Sequence, residues 1–298
     1  MSAVLERSVR KLDAGSEKIV TRFSEGSLIF RRWRGPRDKA ESVLLIHGGS
    51  GSWTHWFRNI DYLRQHFHVL TVDLPGLGES AALPSGYRAE DAIKVMSEGF
   101  KNLVDMGTIN GKIHVVGFSW GCAVASQVVR LNEKSVKSLM LLGPASIGDI
   151  PRRGLAQPLI KRTPEMNSSE VAAANKENLA RLMFFDKRNI DEMAVYLQTI
   201  NTNRSRFNSP QFAKSTLVLD GIGALSIPVK VIYGEYDEPA QPDVAGKKAL
   251  FLDVNKNVEF DLIPDAGHWL QYEQYNLFNI QCQEWIERHA QDIRNINL

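Results

Sequence analysis

Six short apolar runs, each bounded by turn residues, alternate with helical stretches along the chain. Apolar runs of this length are typical of strands that are covered on both faces, and their alternation with helices indicates parallel strands joined by crossovers. The runs occupy residues 43–46, 68–72, 112–116, 138–142, 229–233 and 258–262. We therefore predict an α/β fold in which helices flank a mostly parallel sheet.

A pair of β-like runs precedes the first of these apolar runs. Residues 18–23 and 27–33 are rich in strand-forming side chains, and Glu25-Gly26 lies between them. Two such runs separated by a short glycine-containing turn predict an antiparallel hairpin. We expect this hairpin to extend one side of the parallel sheet.

The alternation is interrupted between the fourth and fifth apolar runs. No strong strand pattern occurs there, and residues 169–185 and 191–200 have helical patterns instead. We predict that residues 145–215 are a helical cap inserted into a core domain made of residues 1–144 and 216–298. Such a cap would lie over the carboxyl ends of the strands, where α/β sheets bind ligands. The alternative is that these helices pack elsewhere as ordinary structure.

Composition excludes several classes of protein. The 36 Lys and Arg residues nearly balance the 34 Asp and Glu residues, and no basic block occurs, so we expect no nucleic-acid partner. The longest apolar runs are far shorter than the roughly 18 residues of a membrane helix, and no signal-peptide stretch occurs in residues 1–13. We expect a soluble, cytoplasmic protein. Its sequence is compatible with a homo-oligomer but does not fix the oligomeric state.

The two cysteines, Cys122 and Cys282, are too few for a disulfide framework or a four-cysteine zinc site. No cluster of His, Asp and Glu suggests a metal, and no cofactor motif is present. We therefore expect neither a metal nor a cofactor, and we expect the partner to be a small-molecule substrate.

Ser119 is the strongest candidate for a nucleophile. It lies in Gly117-Phe118-Ser119-Trp120-Gly121, a G-x-S-x-G pattern that is weak alone. Here the pattern follows a predicted strand and precedes a predicted helix at residues 123–129, which is the context of a nucleophile elbow. We expect the chain to pass so close at positions 117 and 121 that only glycine fits. The alternative is that Ser119 is a helix N-cap, and we interpret Cys122 as a packing residue.

A serine hydroxyl needs an adjacent base, which in turn needs an orienting acid. Of the seven histidines, His268 follows the last strand and precedes the terminal helix, so we predict that it is the base; the alternative is a loop histidine without chemistry. Asp237 follows the fifth apolar run and completes the order serine, acid, histidine. The alternative acids near Asp237 in the sequence are Glu235 and Glu238. If the acid instead followed the fourth apolar run, Asp149 would be the first candidate.

The glycine-rich loop after the first parallel strand predicts an oxyanion hole. The N–H of Gly49 and the N–H of Trp120, the residue after the nucleophile, are the expected donors. A phosphate-binding loop is the rival interpretation, but the Lys-Ser/Thr ending of a P-loop is missing. We expect His47 to support this loop and His55 to be a candidate pocket residue.

Aromatic residues near these motifs predict an apolar substrate pocket. The aromatic candidates are Trp53, Trp56, Phe57, Phe118, Trp120 and Trp269. We expect about half of them to face the cavity and the others to pack in the core. Gly48 and Ser50 of the glycine-rich loop are also predicted to line the pocket.

Taken together, the motifs resemble those of the α/β-hydrolase fold family. The resemblance covers nearly the whole chain and rests on residues 47–49, 73–80, 117–121, 234–237 and 267–269. It implies an eight-stranded, mostly parallel sheet, a helical cap, and hydrolysis through a covalent acyl-serine.

A finer resemblance is to the meta-cleavage-product carbon–carbon hydrolases, at residues 47–49, 57–60 and 268–273. The chain departs from that subfamily at Phe118, where a polar Asn is typical. It also departs in the cap, where Tyr196 aligns with the arginine that holds the dienoate substrate. Arg204 and Arg206 are the substitutes that we considered for that arginine.

These departures favour a less polar substrate. We expect a serine hydrolase that cleaves a small, hydrophobic or aromatic ester with Ser119, His268 and Asp237. The alternatives are a carbon–carbon hydrolase of the meta-cleavage-product type and a non-catalytic ligand-binding protein on the same fold. A dehalogenase of this fold would instead have Asp at position 119.

Overall fold

The computed structural model describes residues 2–290, with the exception of Glu25, Asn110 and Arg152. In these residues, eight strands form one sheet in the order β1-β2-β4-β3-β5-β6-β7-β8. The strands are β1 Glu17–Phe23, β2 Gly26–Trp33, β3 Ser42–Ile46, β4 His68–Asp73, β5 Ile113–Phe118, β6 Val136–Leu142, β7 Val229–Gly234 and β8 Val258–Ile263. Strands β1, β2 and β4 pair antiparallel, and β4, β3, β5, β6, β7 and β8 pair parallel.

The predicted sheet is therefore confirmed, including the hairpin between β1 and β2. Of the turn residues predicted for this hairpin, Gly26 begins β2, and Glu25 lies outside the described residues. All six predicted apolar runs coincide with strands. Each observed strand extends past its run by one or two residues at one end, and β5 begins one residue later than predicted, at Ile113.

Helices cover both faces of the sheet. They are α1 Ser2–Ala14, α2 Phe57–Leu63, α3 Ala89–Asp105, α4 Trp120–Leu131, α5 Ser168–Leu182, α6 Glu192–Asn203, α7 Leu217–Ile222, α8 Lys247–Val254, α9 Leu270–Glu273 and α10 Tyr275–Arg288. Their apolar sides form two cores, one on each face. Successive residues of β3 point to opposite cores, with Leu44 in one and Leu45 in the other, as expected for a strand buried on both sides.

Helix α1 was not predicted. Its Leu12 is buried, and the Leu12 carbonyl accepts a hydrogen bond from Trp33 Nε1 at 2.8 Å. The helix thus covers one end of the sheet. Its apolar residues Val4, Leu5, Val9 and Leu12 recur at helical spacing, a signal from which the helix could have been predicted.

The segment between β6 and β7 contains α5 and α6, in agreement with the helical patterns predicted there. Helix α5 begins with a capping box in which Asn167 and Glu170 satisfy each other's backbone amides. Asp191 caps α6 by accepting from the Ala194 amide. We keep the name cap segment for residues 145–215, whose boundaries remain a prediction. No helix within the described ranges is long and apolar enough to cross a membrane.

Candidate active site

Ser119 lies at the turn between β5 and α4. Its backbone has φ +52° and ψ −119°, a strained conformation for a residue with a side chain. A methyl group at position 117 would lie 2.7 Å from the Gly121 carbonyl oxygen, and one at position 121 would overlap the His47 carbonyl. The prediction that only glycine fits at 117 and 121 is therefore confirmed. Ser119 occupies the N-cap position of α4, but its side chain makes no capping hydrogen bond, so capping does not account for the serine.

Ser119, His268 and Asp237 form a hydrogen-bonded chain. Ser119 Oγ lies 2.9 Å from His268 Nε2, and His268 Nδ1 lies 2.9 Å from Asp237 Oδ2. Because a carboxylate only accepts, Nδ1 carries the imidazole proton, and Nε2 is free to accept from the serine hydroxyl. The sequence-predicted residues thus meet in the geometry that nucleophile activation needs.

Two loops hold the acid and the imidazole together. Asp237 is fully buried, and its Oδ1 accepts from the Ala240 amide at 3.2 Å. The amide of Tyr236, one residue earlier, donates to the Ala266 carbonyl at 2.9 Å, which joins the two loops directly. The Asp237 carboxylate is therefore held through Oδ1 by the Ala240 amide and through Oδ2 by the His268 imidazole.

Gly143, at the end of β6, closes the space beside this pair. It has φ +50°, and a methyl group there would lie 2.8 Å from Asp237 Oδ2 and 3.0 Å from His268 Nδ1. Both the backbone conformation and the lack of space require glycine. The sequence analysis did not single out Gly143, although a glycine directly after an apolar strand was the available signal.

The rivals of the predicted residues lie elsewhere. Glu238 pairs with Arg153 at 2.6 Å, and Asp149 pairs with Lys214 at 3.1 Å, both at the surface. Glu235 is exposed. Cys122 is buried and donates to the carbonyls of Gly117 and Leu142, and burial raises the pKa of its thiol well above the ordinary value. It is a packing residue, as predicted.

His47 shapes the glycine-rich loop, as predicted. The Leu74 amide donates to His47 Nε2 at 3.0 Å, so the proton is on Nδ1, which donates to the Gly48 carbonyl at 2.7 Å. Burial lowers the pKa of His47 and keeps the ring neutral. Within the described part of the chain, the amides of Gly49 and Trp120 donate no hydrogen bond to another protein group. They are therefore available to a ligand oxygen.

A cavity of about 490 Å³ lies above Ser119, between the sheet and the cap segment. The predicted residues Gly49, Ser50, Phe118 and Trp120 line it, together with His55. Most of the surface is apolar and comes from both parts of the chain, for example Phe118 of the core and Leu182 of the cap segment. A cavity of this size encloses a small organic molecule.

Other predicted pocket residues do not line this cavity. Trp56 and Trp269 have no exposed surface: the Trp56 ring packs 6.2 Å from that of Phe278, and Trp269 Nε1 donates to the His55 carbonyl at 3.0 Å. Trp53 is also buried, with its ring 5.6 Å from that of Trp33. Phe57 is absent from the lining as well. These aromatic side chains are core residues, because their backbone positions direct them behind the catalytic loops.

Gly48 and the cap residues considered for substrate binding are also displaced from the cavity. A methyl group on Gly48 would lie 3.0 Å from Ser119 Cβ, so this glycine is behind the nucleophile. Tyr196 is half-buried near Glu6 and Arg10 of α1. Arg204 lies 3.8 Å from Glu79, and Arg206 donates to the Ser80 carbonyl. None of these four residues lines the cavity.

Arg162, which was not predicted as a pocket residue, lines the cavity from the cap segment. Its guanidinium donates to Asn203 Oδ1 at 2.5 Å and to the Thr202 carbonyl at 2.9 Å. Asn178 and Gln198 line the same region. These three residues of the cap segment add polar groups to a cavity whose lining is otherwise mainly apolar. No periodic pattern marked Arg162, since it lies in an irregular, proline-rich stretch.

Glu273 connects the His268 loop to the cap segment. Its carboxylate accepts from the Gly267 amide at 2.7 Å, the Asp186 amide at 2.8 Å and the Phe185 amide at 3.1 Å. Burial raises the pKa of Glu273 above its ordinary value, although these donors favour the carboxylate. The Trp269 amide adds a bond to the Met183 carbonyl at 2.8 Å. The loop of the candidate base is therefore fixed against the cap.

No group of three or more His, Cys, Asp or Glu side chains able to hold a metal occurs among the residues that the structure describes.

A family profile described as alpha/beta hydrolase fold matches residues 41–275, which is most of the chain. The chain therefore belongs to the α/β-hydrolase fold family. Two of its relatives by sequence are named as hydrolases of unsaturated 2-hydroxy-6-oxo acids, and a solved structure that shares the fold is named as an esterase.

The 2-hydroxy-6-oxo-6-(2'-aminophenyl)hexa-2,4-dienoic acid hydrolase of Metapseudomonas resinovorans is 24% identical over 268 residues, which are 85% of this chain and 86% of that protein. A 2-hydroxy-6-oxononadienedioate/2-hydroxy-6-oxononatrienedioate hydrolase of Klebsiella pneumoniae is 27% identical over 258 residues, covering 81% of this chain and 85% of its own length. The naproxen esterase (carboxylesterase NP) of Bacillus subtilis superposes with a TM-score of 0.71 at 18% identity, covering 95% of this chain and 96% of that one. At that identity, the likeness shows a shared fold.

Proposed function

We propose that this protein is a serine hydrolase that cleaves a small, hydrophobic or aromatic ester through an acyl-enzyme intermediate. The observation that carries the proposal is the chain of two 2.9 Å contacts that joins Ser119 Oγ to His268 and His268 to Asp237 at the floor of the cavity. The mainly apolar lining of the cavity supports an apolar acyl or alcohol group.

In the first half of the reaction, Ser119 Oγ attacks the ester carbonyl and its proton passes to His268 Nε2. Asp237 holds the imidazole in the reactive tautomer and stabilises the imidazolium that forms. The amides of Gly49 and Trp120 donate to the oxyanion of the tetrahedral intermediate. The intermediate collapses, the alcohol leaves with the proton from His268, and Ser119 retains the acyl group.

In the second half, water takes the place of the alcohol. His268 accepts a proton from the water as its oxygen attacks the acyl carbon, and the same amides hold the new oxyanion. Collapse of this intermediate returns the proton to Ser119 Oγ and releases the carboxylic acid. We also propose that the cap segment selects the substrate, since it forms much of the cavity wall.

Serine labelling tests this proposal directly. We expect a fluorophosphonate to modify Ser119 of the wild-type chain, and Ser119→Ala to abolish both labelling and turnover of p-nitrophenyl esters. Asp237→Asn should lower kcat by about 10³- to 10⁴-fold because it favours the wrong imidazole tautomer. Glu238→Gln is the matched control and should leave kcat unchanged. Full turnover by the Ser119→Ala variant would refute the assignment.

A carbon–carbon hydrolase is the second candidate, and one observation favours it. Arg162 brings a positive charge to the cavity, and guanidinium groups bind carboxylates well. Two sequence relatives are named as hydrolases of dienoates, which carry a carboxylate. Incubation with a ring-fission dienoate distinguishes the candidates, because cleavage removes its yellow absorbance. Absence of labelling and of turnover with both substrate types would instead support a ligand-binding role.

A further inference from the structure

Ser209 of the cap segment lies against the loop that contains Gly49. It begins a short 3₁₀ turn, Ser209–Phe212, and lines the cavity together with Gly49 and Trp120. A methyl group built on Gly49 would overlap Ser209 Oγ and would lie 3.0 Å from Ser209 Cβ. The hydroxyl therefore lies against the Cα of Gly49, the residue whose amide is one of the two proposed to hold the oxyanion.

Aromatic contacts fix this part of the cap segment against Trp120, the residue that carries the other amide. The rings of Phe207 and Phe212 stack on the Trp120 ring, with centroids 5.5 and 5.3 Å away. Tyr87 stacks on the opposite side of Phe207 at 4.8 Å. Ser209 lies between the two phenylalanines in sequence, so its position relative to Trp120 is determined by packing on both sides.

Backbone hydrogen bonds hold the same segment to the core. The Arg206 amide donates to the Gly76 carbonyl at 2.8 Å, and the Asn208 amide donates to Tyr87 Oη at 2.6 Å. These bonds immediately precede Ser209. A side chain at position 209 therefore has a defined location before any substrate enters, which is the condition for an effective hydrogen-bond donor in catalysis.

The hydroxyl of Ser209 has no hydrogen-bond partner within the described residues, whereas Ser146 and Ser215 nearby both donate to the Phe212 carbonyl. Ser209 is half-buried and faces the cavity. A hydroxyl in such a position is free to donate to a ligand that displaces water from the cavity. The ligand atom closest to both Gly49 and Trp120 would be the oxygen of the reacting carbonyl.

We infer that Ser209 is a catalytic residue whose hydroxyl donates a third hydrogen bond to the oxyanion, beside the amides of Gly49 and Trp120. The inference rests on the proposed function, because it needs Ser119 to form a tetrahedral intermediate. Ser209 transfers no proton and forms no covalent bond. Its hydrogen bond strengthens as negative charge develops on the carbonyl oxygen, so it acts on the transition state more than on the bound substrate.

Three variants test this role with the full-length protein and p-nitrophenyl esters. We expect Ser209→Ala to lower kcat by about 10- to 100-fold with little change in KM, because one oxyanion donor is lost. Ser209→Cys keeps nearly the same shape but donates weakly, so it should show a similar loss. The matched control is Ser169→Ala, the same substitution at an exposed position of α5, which should leave both constants unchanged.

An inhibitor series provides the second readout. A trifluoromethyl ketone forms a charged tetrahedral adduct with a reactive serine, and its affinity should fall in Ser209→Ala in parallel with kcat. Inhibition by the carboxylic acid product should remain the same. Full activity in Ser209→Cys would mean that position 209 has only a packing role, and an effect confined to KM in Ser209→Ala would also overturn the inference.

Labelling separates failure of this inference from failure of the proposed function. If Ser119 reacts with the fluorophosphonate and Ser209→Ala keeps full kcat, only the role of Ser209 is refuted. If Ser119 is not labelled and Ser119→Ala keeps turnover, the proposed function fails, and the third donor fails with it. Should Ser209→Ala not fold, the near-isosteric Ser209→Cys supplies the result.

Discussion

Asn201 Oδ1 accepts a hydrogen bond from Ser52 Oγ at 2.7 Å, and Thr54 Oγ1 donates to the same oxygen at 3.0 Å. Asn201 is on α6 of the cap segment, and Ser52 follows the glycine-rich loop. All three side chains are buried. A helix of the cap segment therefore holds the loop that contains Gly49.

We predict that Asn201→Ala lowers the free energy of unfolding by about 1–3 kcal/mol, because two buried hydroxyls lose their acceptor. Urea unfolding of Asn201→Ala, Ser52→Ala and the double variant gives the coupling free energy between the two side chains. A coupling free energy of about 0.5–3 kcal/mol is expected for residues in direct contact. Additive effects would show that the two side chains are not energetically linked.

Gly143→Ala tests the space beside the Asp237–His268 pair. The added methyl group would lie within contact distance of both side chains, so we expect kcat for esters to fall by at least about 10-fold as the imidazole shifts from its position. Gly86→Ala is the matched control, since Gly86 has φ +79° and no atom within 4 Å of the added methyl. In both variants the new alanine has a positive φ, which costs about 1 kcal/mol. Equal kcat in both variants would contradict the prediction.

Two buried imidazoles predict how stability depends on pH. Burial lowers the pKa of His47 and lowers that of His55 well below its ordinary value of 6.5. The unfolded chain therefore binds protons that the folded chain excludes once the pH falls below about 6.5. Each group then reduces the free energy of unfolding by up to about 1.4 kcal/mol per pH unit.

Chemical denaturation at pH 7.5 and pH 5.5 measures this effect. The loss of stability between the two values should be smaller in His55→Phe than in the wild-type chain, since phenylalanine keeps the ring packing without the proton site. Carboxylates contribute equally to the pH dependence of stability in both chains. The difference between the two chains therefore isolates the contribution of His55. An unchanged difference between the pH values would show that His55 is not excluded from protonation in the folded state.

Arg162→Gln distinguishes substrates by charge. If a carboxylate binds to Arg162 in the cavity, this variant should raise KM for a carboxylate-bearing substrate by about 10-fold or more while KM for neutral esters changes little. Arg204→Gln is the matched control, since Arg204 lies outside the cavity lining. A similar change in KM for both substrate types in Arg162→Gln would indicate a structural role through Asn203 and Thr202.

The sheet and the Ser119–Asp237–His268 chain could be predicted because their signals are local. A buried strand is a continuous apolar run, and each of these three residues follows such a run at a predictable distance. The orientation of a side chain after a loop has no such signal. Trp269 follows His268 directly, yet it is buried in the core while the imidazole reaches the cavity.

The residues of the cap segment were predicted least well for a related reason. Arg162 and Ser209 lie in irregular stretches, and their positions depend on packing against α6 and Trp120 rather than on a periodic pattern. Tyr196 was placed in the pocket by alignment, but its side of α6 faces α1, a helix that was not predicted.

The hydrogen bonds of the Glu273 carboxylate limit how the cap segment can be exchanged between related enzymes. In a chimaera with residues 145–215 from another member of the family, the segment that contains Phe185 and Asp186 would be replaced. The backbone amides of the new segment would then have to donate to Glu273 in the same positions as the original two. A mismatch there would reach the imidazole through Gly267. The transferable unit for altering selectivity is therefore the cap segment together with residues 267–273.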